Sequence, residues 1–291
     1  MISHSGAYVP PLFTLRRVTT IAAATAVLIL TLSFPAGAAT QTVRSGSVTA
    51  SYSYHGSPPL SNNSRLKISM SGRLVYDQTV TSKWCGDTCS PNIIARDRTV
   101  VHIVHLSRSG PPSVVLDLYS GGAHCCFVEQ VYSLTNSQGT HKTEYNFGNP
   151  GVRLIELGAR GSYDFLSANN DFAYAFTDYA ASGMPIEIFS YSHDAFHNVT
   201  VSFPSLIRKD AAQWMKAFRS QAATHYQDSV GLVAAWAADE DMLGHSQAVA
   251  RFLATQATAG HLNSALSPVT PSGQKYVIAL QKFLRKHGYV K

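Results

Sequence analysis

Four cysteines in two short segments have the most distinctive spacing in the chain. Cys85 and Cys89 lie in "WCGDTCSP", while Cys125 and Cys126 are adjacent in "YSGGAHCCFVEQ". Cysteines at such spacings serve in thiol redox centres, in zinc or copper sites and in structural disulfides. An even number of cysteines behind an export signal favours disulfides.

The redox and metal interpretations are the weaker alternatives. A reactive thiolate is usually placed at a helix N-terminus, but the segment after Cys89 leads into the strand-like run "TVVHIVHL". A metal site would draw on five residues: His102, His105, His124, Cys125 and Cys126. Successive side chains of a strand point to opposite faces, so adjacent cysteines make poor joint ligands of one ion. We therefore expect no cofactor and no metal.

The pairing of the cysteines has three possible solutions. A loop of about 40 residues closed by a disulfide contributes roughly 4 kcal/mol, whereas a five-residue loop contributes roughly 2 kcal/mol. A disulfide between neighbours also requires a distorted peptide. We therefore predict two cross-links between the Cys85/Cys89 loop and the Cys125/Cys126 segment, with local pairing as the alternative.

The first 38 residues are typical of a secretory signal. Arg16 and Arg17 precede the apolar run Ile21 to Leu32, and "AGA" at 36–38 forms a cleavage site. Twelve apolar residues are too few for a membrane span, which needs about 20. We expect cleavage after Ala38, a secreted, periplasmic or cell-envelope location, and no membrane span after cleavage.

Composition excludes one class of partner. The chain has 23 Lys and Arg against 17 Asp and Glu, and cleavage would remove two arginines and no acids. The mature net charge is then +4, from 21 minus 17, with no long basic cluster. Nucleic-acid binding needs a concentrated basic face, so we expect no nucleic-acid partner.

Two halves of the mature chain have different hydrophobic periods. Residues 39–203 alternate apolar and polar side chains, with Ser71-Gly72 placed as a hairpin turn, and predict an antiparallel β-rich domain. Residues 204–291 change to a period of 3.6 and predict three or four helices. The stripes are Ile207, Ala211, Trp214, Met215 and Phe218, then Val230, Val233, Trp236 and Ala237 continued by Val249, Phe252 and Leu253, then Val277, Leu280 and Leu284. The fold class is therefore α+β, with the helices packed against the sheets.

A weak internal repeat suggests propeller-like blades or stacked meanders. "HLSRSGPPSVVLDL" at 105–118 aligns with "ELGARGSYDFLSAN" at 156–169, and each is predicted to form a strand, a glycine turn and a strand. These units resemble degenerate repeats of the FG-GAP/VCBS class, in which an acidic loop binds calcium. The loops here read "HLSRSG" and "ELGARG", so the resemblance does not extend to calcium ligands.

A second resemblance spans most of the mature chain. The strings "VVLDLYSGGAHCC" and "FAYAFTDYAASGMPIEIFSY" resemble an uncharacterised family of secreted bacterial proteins that carry a GGAHCC motif. The resemblance supports the fold and the compartment, and it implies no catalytic residues.

Two loops in similar positions of the repeat units are the predicted ligand site. Loops carry function more often than strands do, and stacked repeats would place both loops along one edge. The predicted ligand-binding residues are Gly121, Gly122, His124, Asn169, Asn170 and Asp171. In "NNDFAYAFTDY", Phe172, Tyr174 and Phe176 are expected to share one face of a strand, most simply a core face.

The leading hypothesis is a secreted, disulfide-stabilised protein that binds a cell-wall or glycan ligand, or has a structural role, without catalysis. The alternative is a hydrolase of envelope polysaccharide or peptidoglycan that uses Asp171, Asp178 or the cluster Asp239–Asp241. For that cluster, a solvated helix end is the simpler interpretation. The second alternative is the metal or redox protein considered above.

Overall fold

A computed structural model describes residues 38–58, 61–86, 89–92, 99–107, 110–122, 125–135, 139–157, 161–263 and 271–290. The predicted signal therefore lies outside the described residues, apart from Ala38. The contacts divide the described chain into two compact units. The β unit comprises the residues up to Phe165 together with Ser190–His197, and the helical unit comprises Leu166–Phe189 and the residues from Asn198 onward.

The first sheet is an antiparallel meander in the order β1-β2-β3-β4. Its strands are β1 (Ala38–Ser45), β2 (Val48–His55), β3 (Asn62–Met70) and β4 (Arg73–Thr79). Side chains of β2 alternate between buried and half-buried positions, as expected for a strand with one face on a core. Ser71 and Gly72 both have positive φ, of 51° and 80°, and form the predicted hairpin turn between β3 and β4.

The second sheet places β7 (Ser113–Gly122) and β8 (Cys125–Leu134) at its centre, with β9 (Thr140–Gly148) beside β8. Two short strands, β5 (Ser90–Pro91) and β6 (Val101–Val104), both pair with β7. One face of this sheet shares a core with the first sheet. That core includes Tyr52, Leu66, Ile68, Leu116, Leu118, Val128 and Tyr132.

The third sheet is again a meander, in the order β10-β11-β12-β13. Its strands are β10 (Arg153–Glu156), β11 (Tyr163–Ala168), β12 (Ile186–Ser192) and β13 (Ala195–Asn198). The predicted repeat is visible here, because β6 and β7 flank Gly110 just as β10 and β11 flank Gly161. Both glycines have positive φ, of 105° and 86°. Each predicted unit therefore has a positive-φ glycine between two paired strands, while the repeat itself stays a prediction.

Four helices follow in the described part of the chain: α1 (Pro204–Ser220), α2 (Val230–Met242), α3 (Ser246–Thr258) and α4 (Gly273–Lys286). The predicted stripes are buried, and α2 is buried on nearly all sides. The core of the helical unit also contains Phe172, Phe176 and Met184 from the segment before β12. The α+β class is thus confirmed, while the domain boundary at residues 203 and 204 and the packing of the helices against the β-rich part stay predictions.

None of the helices in the described residues is both long enough and apolar enough to cross a membrane.

Candidate functional site

The loop after β4 is closed by a disulfide. Cys85 and Cys89 are paired, with their Cα atoms 5.1 Å apart, which lies within the usual range for a disulfide. Inside the loop, Ser82 and Gly86 form an antiparallel bridge, and Gly86 has a φ of 60°. The Trp84 backbone N–H donates to Ser82 Oγ at 3.1 Å. Covalent and hydrogen bonds therefore both constrain this turn.

The closed loop holds an indole ring in solvent. Trp84 is 46% exposed, and the Lys83 ammonium lies 5.0 Å from its ring centroid. The Lys83 backbone N–H donates to Glu144 Oε1 in β9 at 3.1 Å and ties the loop to the second sheet. An exposed indole beside an ammonium group can stack on a flat or ring-shaped ligand and attract acidic groups.

The second cysteine pair lies at the turn between β7 and β8. Cys125 and Cys126 form a disulfide, and the peptide bond between them is cis. The Cys126 backbone N–H donates to Ser120 Oγ at 2.5 Å. Gly121 has a φ of 84°, and a Cβ on Gly122 would lie 2.7 Å from the Cys125 carbonyl oxygen. Both predicted glycines are therefore required by the turn and are exposed, whereas His124 lies outside the described residues.

The predicted cross-links between the two cysteine segments are wrong, because both pairs are local. The segments do lie on neighbouring strands: Ser90 of β5 is opposite Tyr119, which is opposite Phe127 of β8. Ser90 and Phe127 are two strand spacings apart, which is about 10 Å. Ser90 follows Cys89 and Phe127 follows Cys126, so the two cysteine segments are separated by a similar distance. Disulfides are not formed across Cα separations above about 7 Å, whereas the Cα atoms of Cys85 and Cys89 lie 5.1 Å apart.

Aromatic packing completes this end of the second sheet. The rings of Tyr119 and Phe127 lie 5.2 Å apart, and the Tyr119 hydroxyl donates to the Gly122 carbonyl. We call this surface the disulfide end: Ser82–Gly86, Cys89, Tyr119–Gly122 and Cys125–Phe127. It combines a rigid turn, an exposed indole and glycine backbone, and it lies wholly within the β unit.

The other predicted ligand residues lie in the helical unit. Asn169 Oδ1 accepts the Asp171 N–H at 2.8 Å, and Asn169 Nδ2 donates to the Tyr289 hydroxyl at 2.9 Å. The Asp171 carboxylate is 58% exposed and lies 2.9 Å from His287 Nδ1. Asn170 begins the short 3-10 helix Asn170–Phe172. Because this loop and the glycine turn belong to different units, their predicted position along one edge stays a prediction.

The expected strand at 169–179 is wrong. The segment forms a 3-10 helix followed by turns, in which Phe172 and Phe176 are buried while Tyr174 is 52% exposed. Tyr174 has a φ of 62°, which is unfavourable for an aromatic residue, and its ring lies 5.7 Å from that of Tyr179. Tight packing on α2 imposes this path, since a Cβ on Gly231 would overlap the Ala181 carbonyl oxygen.

The cluster 239–241 is not a solvated helix end. Asp239 is fully buried and Asp241 is 7% exposed, because the other helices surround α2. Glu240 Oε2 lies 2.6 Å from His245 Nδ1. Asp178 Oδ1 accepts the Ala181 N–H at 2.9 Å and stabilises a turn. Asp239 is thus out of reach of a polymer substrate, while Glu240 and Asp178 have local partners.

Glu187 of β12 is a functional candidate that we did not single out in the sequence. Its Oε1 accepts the Asn198 Nδ2–H at 3.2 Å. Burial, and then the negative charge of Asp171, raise the pKa of Glu187 to about 7, although the hydrogen bond from Asn198 opposes the rise. In the sequence, the feature that could have indicated this residue is an acid within the predicted strand "IEIFSYS".

Of the histidines in the metal alternative, His102 pairs with an acid. His102 Nε2 lies 3.0 Å from Asp117 Oδ2. Across the described ranges, no three potential ligands among His, Cys, Asp and Glu come together in a metal-binding arrangement.

Comparison with known proteins adds two relatives. A segment of 152 residues is 30% identical to a probable thylakoid lumen protein of Synechocystis and covers 50% of this chain and 44% of that protein. A segment of 149 residues is 26% identical to an uncharacterized protein of Sinorhizobium fredii and covers 50% of this chain and 23% of that protein. The chain therefore spans less than half the length of these curated relatives. No family model matches the chain, and no solved structure matches it.

Proposed function

We propose that this chain is an extracytoplasmic, disulfide-stabilised protein that binds a cell-envelope or glycan ligand without transforming it. The similarity to a probable thylakoid lumen protein supports an exported location, as do two disulfides. The observation that carries the binding role is Trp84. A half-exposed indole is costly to leave in water, yet a disulfide and a hydrogen bond from the Trp84 backbone N–H constrain the backbone that presents the ring.

The disulfide end suits such a ligand for two physical reasons. The described residues Ser82–Gly86 lose little conformational entropy on binding, because a disulfide and backbone hydrogen bonds already constrain them. The indole offers a flat apolar face to a sugar ring, while the backbone of Gly121 and Gly122 is exposed for hydrogen bonding. Asn169, Asn170 and Asp171, with the nearby exposed Tyr174, would be a separate contact surface in the helical unit.

Co-sedimentation of the purified full chain with insoluble peptidoglycan tests the proposal. The substitution Trp84→Ala should weaken binding by about tenfold or more, as expected for a central aromatic contact. Trp84→Phe should restore part of the affinity, because the phenyl ring still stacks. Ile278→Ala, at a residue that is 59% exposed on α4, serves as the matched control and should bind like the native chain. Equal binding by the native chain and Trp84→Ala would contradict the proposal.

A polysaccharide hydrolase is the second candidate, and one observation favours it. With a pKa of about 7, Glu187 is about half protonated near neutral pH, and the charge of Asp171 acts on it. A protonated and an ionised carboxyl group are the pair that glycoside hydrolysis requires. Release of reducing sugar from peptidoglycan by the native chain but not by Glu187→Gln would favour the hydrolase, whereas binding without release favours the binding protein.

A further inference from the structure

Glu129 of β8 is a buried acid without a hydrogen-bond donor. It is 2% exposed, and within the described part of the chain no N–H or O–H group donates to either of its carboxyl oxygens. Directly opposite, on β7, stands Asp117. Tyr145 of β9 lies opposite Glu129 on the other side of β8. An ionised Glu129 would therefore lie in the interior with a second carboxylate as its close polar neighbour.

Asp117 is the partner that can carry the negative charge. Its Oδ2 lies 3.0 Å from His102 Nε2 in β6, and its side chain is 13% exposed. Two carboxyl groups in contact do not both ionise readily, because their charges repel. Burial, and then the charge of Asp117, raise the pKa of Glu129 well above its ordinary value. Glu129 is therefore the member of the pair whose buried environment favours the protonated form.

The helical unit contains the same construction between two helices. Asp239 of α2 is fully buried, and its carboxyl oxygens accept no hydrogen bond from a side chain in the described residues, although the nearby Ile186 N–H opposes the rise of its pKa. Its neighbour Asp210 of α1 does have donors: its Oδ2 accepts the Ile186 N–H at 3.0 Å and the Trp214 Nε1–H at 2.9 Å. Burial, and then the charge of Asp210, raise the pKa of Asp239 well above its ordinary value.

Other titratable groups act on the second pair. Glu240, the next residue in α2, adds negative charge near Asp239, and the Tyr289 phenol interacts with the Asp239 charge. The charge of Glu240 makes ionisation of Asp239 still less favourable, whereas the effect between Asp239 and Tyr289 is to raise the pKa of the phenol. In both pairs, the deeper acid is more buried and has fewer donors, and the shallower carboxylate has a nitrogen partner within 3.0 Å, so the proton belongs on the deeper one.

We propose that each unit contains two carboxyl groups that share one proton, Glu129 with Asp117 and Asp239 with Asp210, and that the protein is therefore most stable in mildly acidic surroundings. The sign follows from proton uptake. Between its unfolded and folded pKa values, each deep acid binds a proton in the native state and has released it in the unfolded state. The stabilisation is complete below the unfolded pKa of about 4 and is lost as pH rises through the raised folded pKa.

Urea denaturation of the full chain at pH 5, 6.5 and 8 tests the stability part of this proposal. The unfolding equilibrium constant should rise by at least about tenfold between pH 5 and pH 8, since each shared proton can contribute up to tenfold per pH unit. Glu129→Gln and Asp239→Asn should each reduce that rise, because a neutral amide can donate to the partner carboxylate at every pH. The matched control Glu156→Gln, at an exposed acid of β10, should leave the rise unchanged.

Infrared spectroscopy of the native chain tests the shared protons without any substitution, and so covers the case in which a variant fails to fold. At pH 8, where Glu187 with its pKa of about 7 is mostly ionised, the folded protein should show the carbonyl stretch of a buried, protonated carboxylic acid, and unfolding in urea at the same pH should abolish it. Absence of that band, or an unfolding free energy that increases from pH 5 to pH 8, would overturn the proposal.

Discussion

Two loops, one in each unit, hold an aromatic ring in solvent, and they are built by different means. Trp84 stands in a turn closed by the Cys85–Cys89 disulfide. Tyr174 stands in a turn without a cysteine, where its N–H donates to Ser182 Oγ at 3.1 Å and the same hydroxyl donates to the Asp178 carbonyl at 2.7 Å. The Trp84 turn therefore depends on a covalent bond, and the Tyr174 turn on hydrogen bonds and close packing.

The difference shows where conformational strain can be tolerated. The Tyr174 loop contains an aromatic residue at positive φ, which costs about 1–3 kcal/mol and persists only where surrounding contacts impose it. Those contacts come from the first turn of α2, at Gly231. Among the described residues of the Trp84 loop, 82–86 and 89, the positive φ belongs to a glycine, Gly86, and not to a residue with a side chain.

The largest effect is expected from Gly231→Ala. The added Cβ would overlap the Ala181 carbonyl oxygen and lie 2.9 Å from Thr177 Cγ2, so the loop must move away from α2. We expect a loss of about 3 kcal/mol of unfolding free energy, measured by chemical denaturation, although alanine is otherwise the better helix former. Gly139→Ala, where the nearest atom is 3.7 Å away, is the control. Native-like stability of Gly231→Ala would show that the loop is not held by packing.

The double substitution Cys85→Ala with Cys89→Ala should have the next largest effect. Loss of a five-residue disulfide loop is expected to cost roughly 2 kcal/mol, and it should release Trp84. Because Trp214 and Trp236 are buried, the exposed indole can be followed by the time-resolved anisotropy of tryptophan fluorescence. Faster local motion of the indole is expected in the variant. Unchanged anisotropy would mean that hydrogen bonds alone hold this turn, and the contrast with the Tyr174 loop would disappear.

A smaller effect is expected from Ser182→Ala. The hydroxyl is 5% exposed and serves both the Tyr174 N–H and the Asp178 carbonyl, so its removal should cost about 1–2 kcal/mol. Amide hydrogen exchange should accelerate at Tyr174 and remain unchanged at Trp84. Ser220→Ala, which removes an exposed hydroxyl bonded to the Ala217 carbonyl, is the control for a general loss of a serine. Equal exchange at Tyr174 in both variants would argue against the role of Ser182.

Regular elements were the predictable part of the fold. The 3.6-residue stripe Ile207, Ala211, Trp214 and Phe218 is buried in α1, and the turn at Ser71-Gly72 joins β3 and β4. Both depend on residues a few positions apart. The segment 169–179 also had a local period, of two, but its path is set by Gly231 of α2, which lies more than fifty residues further along the chain. A local pattern could not reveal that contact.

The candidate sites were predictable in part for the same reason. A tight turn at Gly121 and Gly122 was predictable, and the turn requires both glycines, while their part in ligand binding stays a prediction. Trp84 and Glu187 were not predicted, since the residues next to them in sequence do not indicate that the Trp84 ring is exposed or that Glu187 is buried. Exposure depends on which distant segments cover a residue.

The sequence by itself determined the α+β class, the change of period near residue 204 and the glycine turns, because these follow from side chains that are close together along the chain. Tertiary structure decided the disulfide pairing, the exposure of Trp84 and Tyr174, and the burial of Glu129 and Asp239. Each of these depends on distances between segments far apart in sequence. A cysteine bonds to the thiol within reach, and an acid keeps its proton where no donor and little water reach it.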